Sequence, residues 1–335
     1  LSNTRAAASL YELDRTQWSL VTLPLSHAYG LMVMNSGLAL GTRAVLLSWF
    51  NPELVLDTIQ AYRVQTMSAV PTMLNYLLNY PDSDRFDTSS MRVWGSGAAP
   101  LPIEIVAPFE KKFGGRILEG YGLTEGVAVA TCNPATGANK EGSIGLPFPG
   151  TVVEIARADG FGGLARAGEI GEICLRGPQV MKGYWRQPEA TARVLRSGRL
   201  LTGDLGFLDE EGYTHIVGRS KDLILVGGYN VYPSAVEAAI LMNPCVAEVA
   251  VCGVPDVHRG EMVAAFVVLR EGAGLTTREL KDFLRDKLAS FELPRRIAFR
   301  PALPRGADGK VAKAELAASI ARKRERAGTE HAEAA

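Results

Sequence analysis

Short apolar runs alternate with segments of helical period through the first third of the chain. The apolar runs have the length and composition of strands, and they occupy residues 19–25, 43–49, 65–70, 91–94 and 116–118. Strands that alternate with helices predict a parallel sheet, which binds its ligands at the carboxyl ends of the strands.

The segment 51–62 shows the helical period most clearly. Asn51 is a favourable N-cap residue, and Pro52 suits the first helical position. We expect one apolar face, made of Leu54, Val55, Ile59 and Tyr62.

The pattern changes twice further along the chain. From residue 129 to 217 the helical period disappears and Gly and Pro separate short β-rich runs, which predicts a small β-barrel-like subdomain. After Gly218 a hairpin, helices and strands follow in mixed order. The predicted fold class is α/β: a partial large domain, made of a parallel sheet with helices plus the β subdomain, followed by a small α+β C-terminal domain.

These changes set the expected domain boundaries. We expect the α/β part at 1–128, the β-rich subdomain at 129–217, a mobile C-terminal domain at 218–321 and a flexible tail at 322–335. A length of 335 residues suits two domains, and 47% hydrophobic residues supply their cores.

Net charge indicates which partners are expected, and cysteine content indicates which cell compartment is expected. Basic and acidic residues both number 36, so no overall positive field attracts nucleic acid. The four cysteines form no CxxC pair and lie in or beside apolar runs, which indicates reduced thiols in a cytoplasmic protein. The most apolar stretch, 30–47, is interrupted by polar residues and is too short to span a membrane. The chain begins without methionine, which suggests a fragment, and the sequence leaves the oligomeric state open.

The most informative segment is Glu119-Gly-Tyr-Gly-Leu-Thr-Glu125, which follows a predicted strand. Gly122 allows a tight turn, and Tyr121 offers a flat face to a base. Thr124 can donate a hydroxyl to phosphate, and Glu125 can supply the single carboxylate that Mg²⁺ typically takes beside substrate phosphates. This inventory predicts a nucleotide site, although a plain Gly-rich turn would give the same short pattern.

Other blocks follow this segment in a characteristic order: Leu201-Thr-Gly-Asp-Leu205, Gly218-Arg-Ser-Lys221, Gly227-Gly-Tyr-Asn-Val-Tyr-Pro233 and the closing Gly309-Lys310. Together with Gly168-Glu-Ile-Gly-Glu-Ile-Cys-Leu-Arg-Gly177, they resemble the adenylate-forming superfamily, and most closely its acyl-CoA synthetases. The resemblance runs from about Pro24 to Lys313. It implies that a carboxylate attacks the α-phosphate of ATP to give an acyl-adenylate, which then passes its acyl group to a thiol.

The resemblance assigns residues to that chemistry, and it implies ATP, Mg²⁺ and coenzyme A as cofactors. Lys310 matches the catalytic lysine, although Asp308 stands where the superfamily more often has a small hydroxyl residue. Lys221 matches the hinge of a swinging C-terminal domain, and His27 matches a histidine beside the thiol entrance. The remaining expected ligand contacts are Gly97, Ala98, Ala99, Tyr121, Gly122, Thr124, Asp204 and Arg219 for the nucleotide, Glu125 for Mg²⁺, and Gly227, Gly228 and Tyr229 for CoA.

Plain structural roles compete with several of these assignments. His27 can be a structural histidine, Tyr121 a core aromatic residue, and the Gly227-Gly228 pair a simple hairpin turn. Trp185 is expected to pack against its neighbours.

Three hypotheses remain for the chain as a whole. The first is a truncated ATP-dependent ligase that joins a carboxylic acid to CoA, inactive alone because no Ser/Thr/Gly-rich phosphate loop is present. The others are an adenylation module that loads a carrier protein, and a non-catalytic nucleotide-binding fragment. Small residues in the segments expected to line the acid pocket, 94–97 and 120–127, favour a medium- or long-chain fatty acid over an aryl acid.

Overall fold

A parallel sheet between two layers of helices forms the first part of the molecule. The structure is a computed structural model that describes residues 2–10, 15–157, 163–306 and 311–320. Its contacts divide the chain into two units, which meet in the sequence between Ile216 and Val217.

The helices of the first unit, in chain order, are α1 Ser2–Leu10, α2 Ala28–Leu40, α3 Pro52–Tyr62, α4 Pro71–Leu78, α5 Ile103–Phe113 and α6 Pro188–Val194. Those of the second unit are α7 Pro233–Leu241 and α8 Thr277–Leu284, and residues 313–320 are also helical. Short 3₁₀ turns occupy Ser83–Arg85, Thr124–Gly126 and Ser220–Asp222.

The strands up to residue 147 are β1 Trp18–Val21, β2 Arg43–Leu46, β3 Thr66–Ala69, β4 Val93–Ser96, β5 Arg116–Tyr121, β6 Thr131–Cys132 and β7 Leu146–Pro147. The next group is β8 Val152–Ala156, β9 Gly171–Arg176, β10 Leu195–Arg196, β11 Arg199–Leu208 and β12 Thr214–Arg219. The last group is β13 Ile224–Val226, β14 Tyr229–Val231, β15 Val246–Asp256, β16 Gly260–Leu269 and β17 Arg296–Phe299.

The first sheet has the order β2-β1-β3-β4-β5-β6-β7. Strands β1 to β5 are parallel, and β6 and β7 add antiparallel pairs at one edge. The predicted parallel sheet and the α/β fold class are therefore confirmed. Strands β6 and β7 lie beyond the expected boundary at residue 129, yet they extend this sheet because the chain after residue 121 folds back along β5.

The two faces of this sheet bury different residues. Ile117 packs into a core with α3, α4 and α5, whereas its neighbour Leu118 packs into a second core with α1 and α2. The first core is centred on Trp94, whose ring meets Phe109 edge-on at 5.0 Å. Trp94 is fully buried there, so it does not line an acid pocket as the sequence suggested.

Helix α3 begins as predicted but buries a different face. The Asn51 side chain accepts a hydrogen bond from the Leu54 N–H at 2.9 Å, and Pro52 occupies the first turn. The buried apolar residues are Val55, Leu56 and Ile59. Leu54 and Tyr62 are instead exposed, and the Tyr62 ring rests against Trp18 at 5.1 Å.

A second sheet of the first unit has the order β10-β11-β9-β8, with β12 paired to β11. The pairing of β11 with β9 is irregular between Leu201 and Leu205, where β11 carries a bulge. A bulge bends a strand and redirects its side chains. Asp204 lies in this irregular stretch.

The second unit is built on the sheet β14-β13-β16-β15, and β17 pairs in parallel with β16. Helices α7 and α8 pack on one face around Val236, Ile240 and Leu280. The predicted α+β module is confirmed.

The state of the cysteines and the length of the helices concern the environment in which the protein works. All four cysteines are free thiols, and burial raises the pKa of Cys174 and Cys252 to about 11. No helix within the described ranges is long and apolar enough to cross a membrane.

Candidate functional site

The loop after β5 is held in a tight turn by its own backbone. The N–H groups of Gly126 and Ala128 both donate to the Leu123 carbonyl, at 3.0 and 3.1 Å. A Cβ at Gly122 would lie 1.5 Å from the carbonyl oxygen of Ala128, so only glycine fits at this position. The close approach that requires glycine is therefore within the loop itself.

The loop brings Tyr121 to Asp204. The Tyr121 hydroxyl donates to Asp204 Oδ2 at 2.5 Å, although 83 residues separate the two along the chain. Asp204 is 5% exposed, and the Thr202 hydroxyl accepts a hydrogen bond from its N–H at 3.1 Å. Tyr121 also packs against the core around Ile173 and Leu175, and Asp204 lies where the pairing of β11 with β9 is irregular.

The backbone segment after β4 lies beside this pair. Gly97 is buried, and a Cβ there would meet the Gly120 carbonyl oxygen at 3.3 Å. Ala98 and Ala99 are exposed, and Ala98 has a positive φ of 68°, which is rare for a residue with a side chain. The carboxyl ends of β4 and β5 therefore present adjacent backbone at the edge where parallel sheets bind ligands.

Glu125 has a partner that the sequence analysis missed. It lies in the 3₁₀ turn with Thr124, and its Oε1 accepts the Tyr184 hydroxyl at 2.8 Å. The carboxylate raises the pKa of Tyr184, chiefly through this hydrogen bond. No local pattern in the sequence links Tyr184 to a carboxylate 59 residues away. The neighbouring Trp185 was expected to pack, but it is 83% exposed.

The surroundings of Glu125 fit a magnesium ion shared with a nucleotide. In the part of the chain that the structure describes, no group of three or more His, Cys, Asp or Glu side chains could hold a metal by itself. Mg²⁺ commonly takes only one or two carboxylates and completes its shell with phosphate oxygens and water. One carboxylate next to a threonine hydroxyl matches that donor set.

His27 has a structural role in the fold. It caps α2, where its Nδ1 accepts the N–H of Tyr29 at 3.2 Å, and its side chain is exposed. The cap supports the alternative that His27 is a structural histidine, and it does not test a role of His27 in catalysis.

The expected CoA residues form a two-residue hairpin loop in the second unit. Gly227 and Gly228 join β13 to β14 with φ values of 58° and 88°. Positive φ at both central residues is the geometry that glycine favours in such hairpins. A Cβ on either glycine would meet no atom within 4 Å, and the exposed Tyr229 ring stacks on Phe291 at 4.6 Å.

The remaining predicted residues differ in how far the structure describes them. Arg219 ends β12 and is exposed, and Lys221 is exposed in the 3₁₀ turn that follows. Lys310, Asp308 and the tail 322–335 lie outside the described residues.

Glu119 is a second functional candidate that the sequence analysis passed over. It lies two residues before Tyr121, and its Oε1 accepts the Leu101 N–H at 3.2 Å. Burial raises the pKa of its carboxyl group to about 7. It borders a small cleft with Asn133, Asn139 and Lys140.

Two family assignments cover most of the chain. Residues 1–185 match the AMP-binding enzyme family, and residues 235–310 match the AMP-binding enzyme C-terminal domain. The chain belongs to the AMP-binding enzyme family. The predicted resemblance to the adenylate-forming superfamily is thereby confirmed.

Individual relatives agree with this assignment. A long-chain-fatty-acid–CoA ligase of Bacillus subtilis (strain 168) is 44% identical over 319 residues, which cover 94% of this chain and 57% of that protein. A feruloyl-CoA synthase of an Amycolatopsis species is 39% identical over 307 residues, covering 91% and 62%. The ATP-bound crystal structure of MatB from Rhodopseudomonas palustris has a TM-score of 0.90 at 37% identity, covering 95% and 63%. The chain thus spans just over half the length of the first of these relatives.

The raised pKa of Glu119 predicts a pH-dependent loss of stability. A carboxyl group that binds its proton more tightly in the folded protein stabilises the fold only while it is protonated. Its contribution is therefore lost as the pH rises from 4.5, the ordinary pKa of the group, to about 7, its pKa in the folded protein. Glu119→Gln keeps a neutral side chain throughout. The two proteins should therefore unfold with similar free energies at pH 5, and at pH 8 the wild type should be less stable by up to about 3 kcal/mol. Urea unfolding at both pH values measures this, and a constant difference would contradict the buried, proton-binding state of Glu119.

Proposed function

We propose that this chain forms part of an ATP-dependent ligase that activates a carboxylic acid as an acyl-adenylate and transfers the acyl group to CoA. The observation that carries the proposal is the hydrogen bond between Tyr121 and Asp204. It joins an aromatic ring and a buried carboxylate at the end of a parallel strand, in a member of the AMP-binding enzyme family.

The nucleotide would be held by groups of complementary chemistry. Asp204 would accept hydrogen bonds from the ribose hydroxyls, because a carboxylate carries two acceptor oxygens. The adenine would lie between the Tyr121 ring and the backbone of Gly97, Ala98 and Ala99. Thr124 would donate its hydroxyl to phosphate, and Arg219 would reach the ribose and phosphates.

The first half-reaction forms a bond between a carboxylate oxygen and the α-phosphorus of ATP, and the bond to the pyrophosphate oxygen breaks. Glu125 would hold Mg²⁺, which supplies positive charge to the phosphate oxygens. Lys310 would bring a second cation to the carboxylate and the α-phosphate. Cations and donors aimed at developing charge make the largest contribution to catalysis of this kind.

In the second half-reaction the thiol of CoA releases its proton to solvent, its sulfur bonds to the acyl carbon, and the bond from that carbon to the phosphate oxygen breaks, so that AMP leaves with the bonding electrons. The second unit would swing about Lys221 to bring Gly227, Gly228 and Tyr229 to the pantetheine. Because Nδ1 of His27 accepts the Tyr29 N–H, a neutral His27 carries its proton on Nε2. It would act there as a hydrogen-bond donor to the acyl group rather than as a base.

A cleft between α2 and the first sheet supports a fatty acid as substrate. It is small and partly open to solvent. Apolar side chains such as Met32, Val33 and Met67 line it, and Gly95 adds no side chain. An alkyl chain gains about 0.8 kcal/mol for each buried methylene group, so such a lining favours a medium- or long-chain acid. An aryl acid is the second candidate, since the feruloyl-CoA synthase of Amycolatopsis is also a relative.

The free cysteines and the neutral charge support the expected setting. Thiols that stay reduced are typical of the cytoplasm, and a net charge of zero offers nothing to a nucleic acid backbone. We therefore place the reaction in the cytoplasm with small-molecule substrates.

Supplying the intermediate tests the thiol half-reaction directly. The 335-residue chain, given oleoyl-adenylate and CoA, should release AMP and form oleoyl-CoA, because this step needs no site for the β- and γ-phosphates. Feruloyl-adenylate should react more slowly. Transfer to a phosphopantetheinyl carrier protein but not to CoA would favour the carrier-loading alternative, and no transfer to either would refute the ligase.

Gly228→Asn should slow transfer to CoA about tenfold or more, because a side chain in the pantetheine path displaces the reacting thiol. Asparagine tolerates positive φ, so the hairpin should survive the substitution. Gly272→Asn is the matched control, since Gly272 has φ 75° and equally open surroundings in the same unit. Single-turnover assays with oleoyl-adenylate measure the effect, and equal rates for the two variants would contradict the assignment of the hairpin to CoA.

A further inference from the structure

Glu125 is held by a distant segment of the first unit at both its side chain and its backbone. The Tyr184 hydroxyl donates to Glu125 Oε1 at 2.8 Å, and the N–H of Met181 donates to the Glu125 carbonyl oxygen at 2.8 Å. Between 56 and 59 residues separate these partners along the chain. Two hydrogen bonds of normal length from one segment restrain both the position of Glu125 and the rotation of its carboxylate.

We propose that residues 181–191 are a clamp that positions Glu125 to bind the metal ion of a metal–nucleotide complex, with the Tyr184 hydroxyl as its contact. The proposal rests on the proposed function, in which Glu125 is the metal ligand. The role assigned to Tyr184 is to hold Glu125 through this hydrogen bond, which makes it a positioning residue.

Contacts within the clamp explain why residues 183 and 191 are glycine and threonine. The Thr191 hydroxyl accepts the Tyr184 N–H at 2.9 Å and donates to the Gln187 carbonyl oxygen at 2.8 Å. Gly183 has φ 145°, and a Cβ there would lie 2.8 Å from the Thr191 methyl carbon. Glycine at 183 therefore lets Thr191 approach, and Thr191 in turn fixes the backbone from which the Tyr184 ring extends.

The geometry leaves the carboxylate able to bind a cation. Tyr184 occupies one lone pair of Oε1, and an ionised carboxylate offers about four such positions. Because the Tyr184 hydroxyl holds Oε1, it limits the rotation of the Glu125 carboxylate and keeps Oε2 in one orientation. Partners of this kind, which orient a metal ligand from outside, typically change metal affinity by 10- to 100-fold when they are removed.

The neighbouring aromatic side chains make the role of Tyr184 specific. Trp185 is 83% exposed, and Arg186 lies over its ring. Tyr76, on α4, is 59% exposed and stacks on Phe50 through its ring. Tyr76→Phe therefore makes the same chemical change as Tyr184→Phe in the same unit, away from Glu125.

The test measures metal–nucleotide binding by the 335-residue chain. Mn²⁺ replaces Mg²⁺, calorimetry with Mn²⁺–ATP reports binding of the metal–nucleotide complex, and calorimetry in EDTA reports binding of ATP without metal. Tyr184→Phe should weaken Mn²⁺–ATP binding about tenfold and leave metal-free ATP binding within about twofold of wild type. Thr191→Val should weaken Mn²⁺–ATP binding by a few fold and accelerate hydrogen exchange at the Tyr184 amide. Tyr76→Phe should match wild type in every measurement.

The other possible outcomes each contradict a different part of the account. Unchanged Mn²⁺–ATP binding in Tyr184→Phe, or equal losses with and without metal, would overturn the clamp. A wild-type chain that binds ATP in neither form would instead refute the proposed nucleotide site, and the clamp's role in metal binding with it. A wild-type chain that binds ATP equally with and without metal would refute Glu125 as the ligand.

Discussion

The hydrogen bond from Tyr121 to Asp204 is the contact on which the rest of the site depends. It ties the end of a parallel strand to a bulge in a different sheet, and neither element alone places a base-stacking ring beside a buried carboxylate. The tight loop at Gly122 and the irregular pairing of β11 near Asp204 are the backbone conditions for this contact. A parallel sheet supplies the ligand-binding edge, and the second sheet supplies the acid.

The same principle extends to Glu125. The segment from Met181 to Thr191 reaches the loop after β5 with one backbone bond and one side-chain bond. The loop that carries the proposed adenine and metal contacts is therefore held by residues 56 to 83 positions further along the chain. Such a loop can be rigid although it has little regular secondary structure, because Asp204 in β11 and the segment 181–191 restrain it.

The sequence was most informative where the chemistry is local. The Asn51 cap, the parallel strands and the glycines of the hairpin after β13 follow from short-range patterns, and the structure bears these elements out. Long-range contacts were missed, because spacing along the chain does not show which tyrosine reaches which carboxylate. Trp185 was expected to pack and is exposed, whereas its neighbour Tyr184 makes the important contact. Strands β6 and β7 pair into the first sheet, although the β-rich subdomain was expected to begin at residue 129; two-residue strands carry almost no periodic signal.

Binding of nucleosides to the 335-residue chain tests the central claim most directly, because it requires neither phosphates nor metal. If Asp204 accepts the ribose hydroxyls, calorimetry should show adenosine binding about tenfold more tightly than 2′,3′-dideoxyadenosine, as expected for losing hydrogen bonds to a charged group. Asp204→Asn should reduce that preference. Equal affinity of the wild-type chain for the two nucleosides would contradict the account.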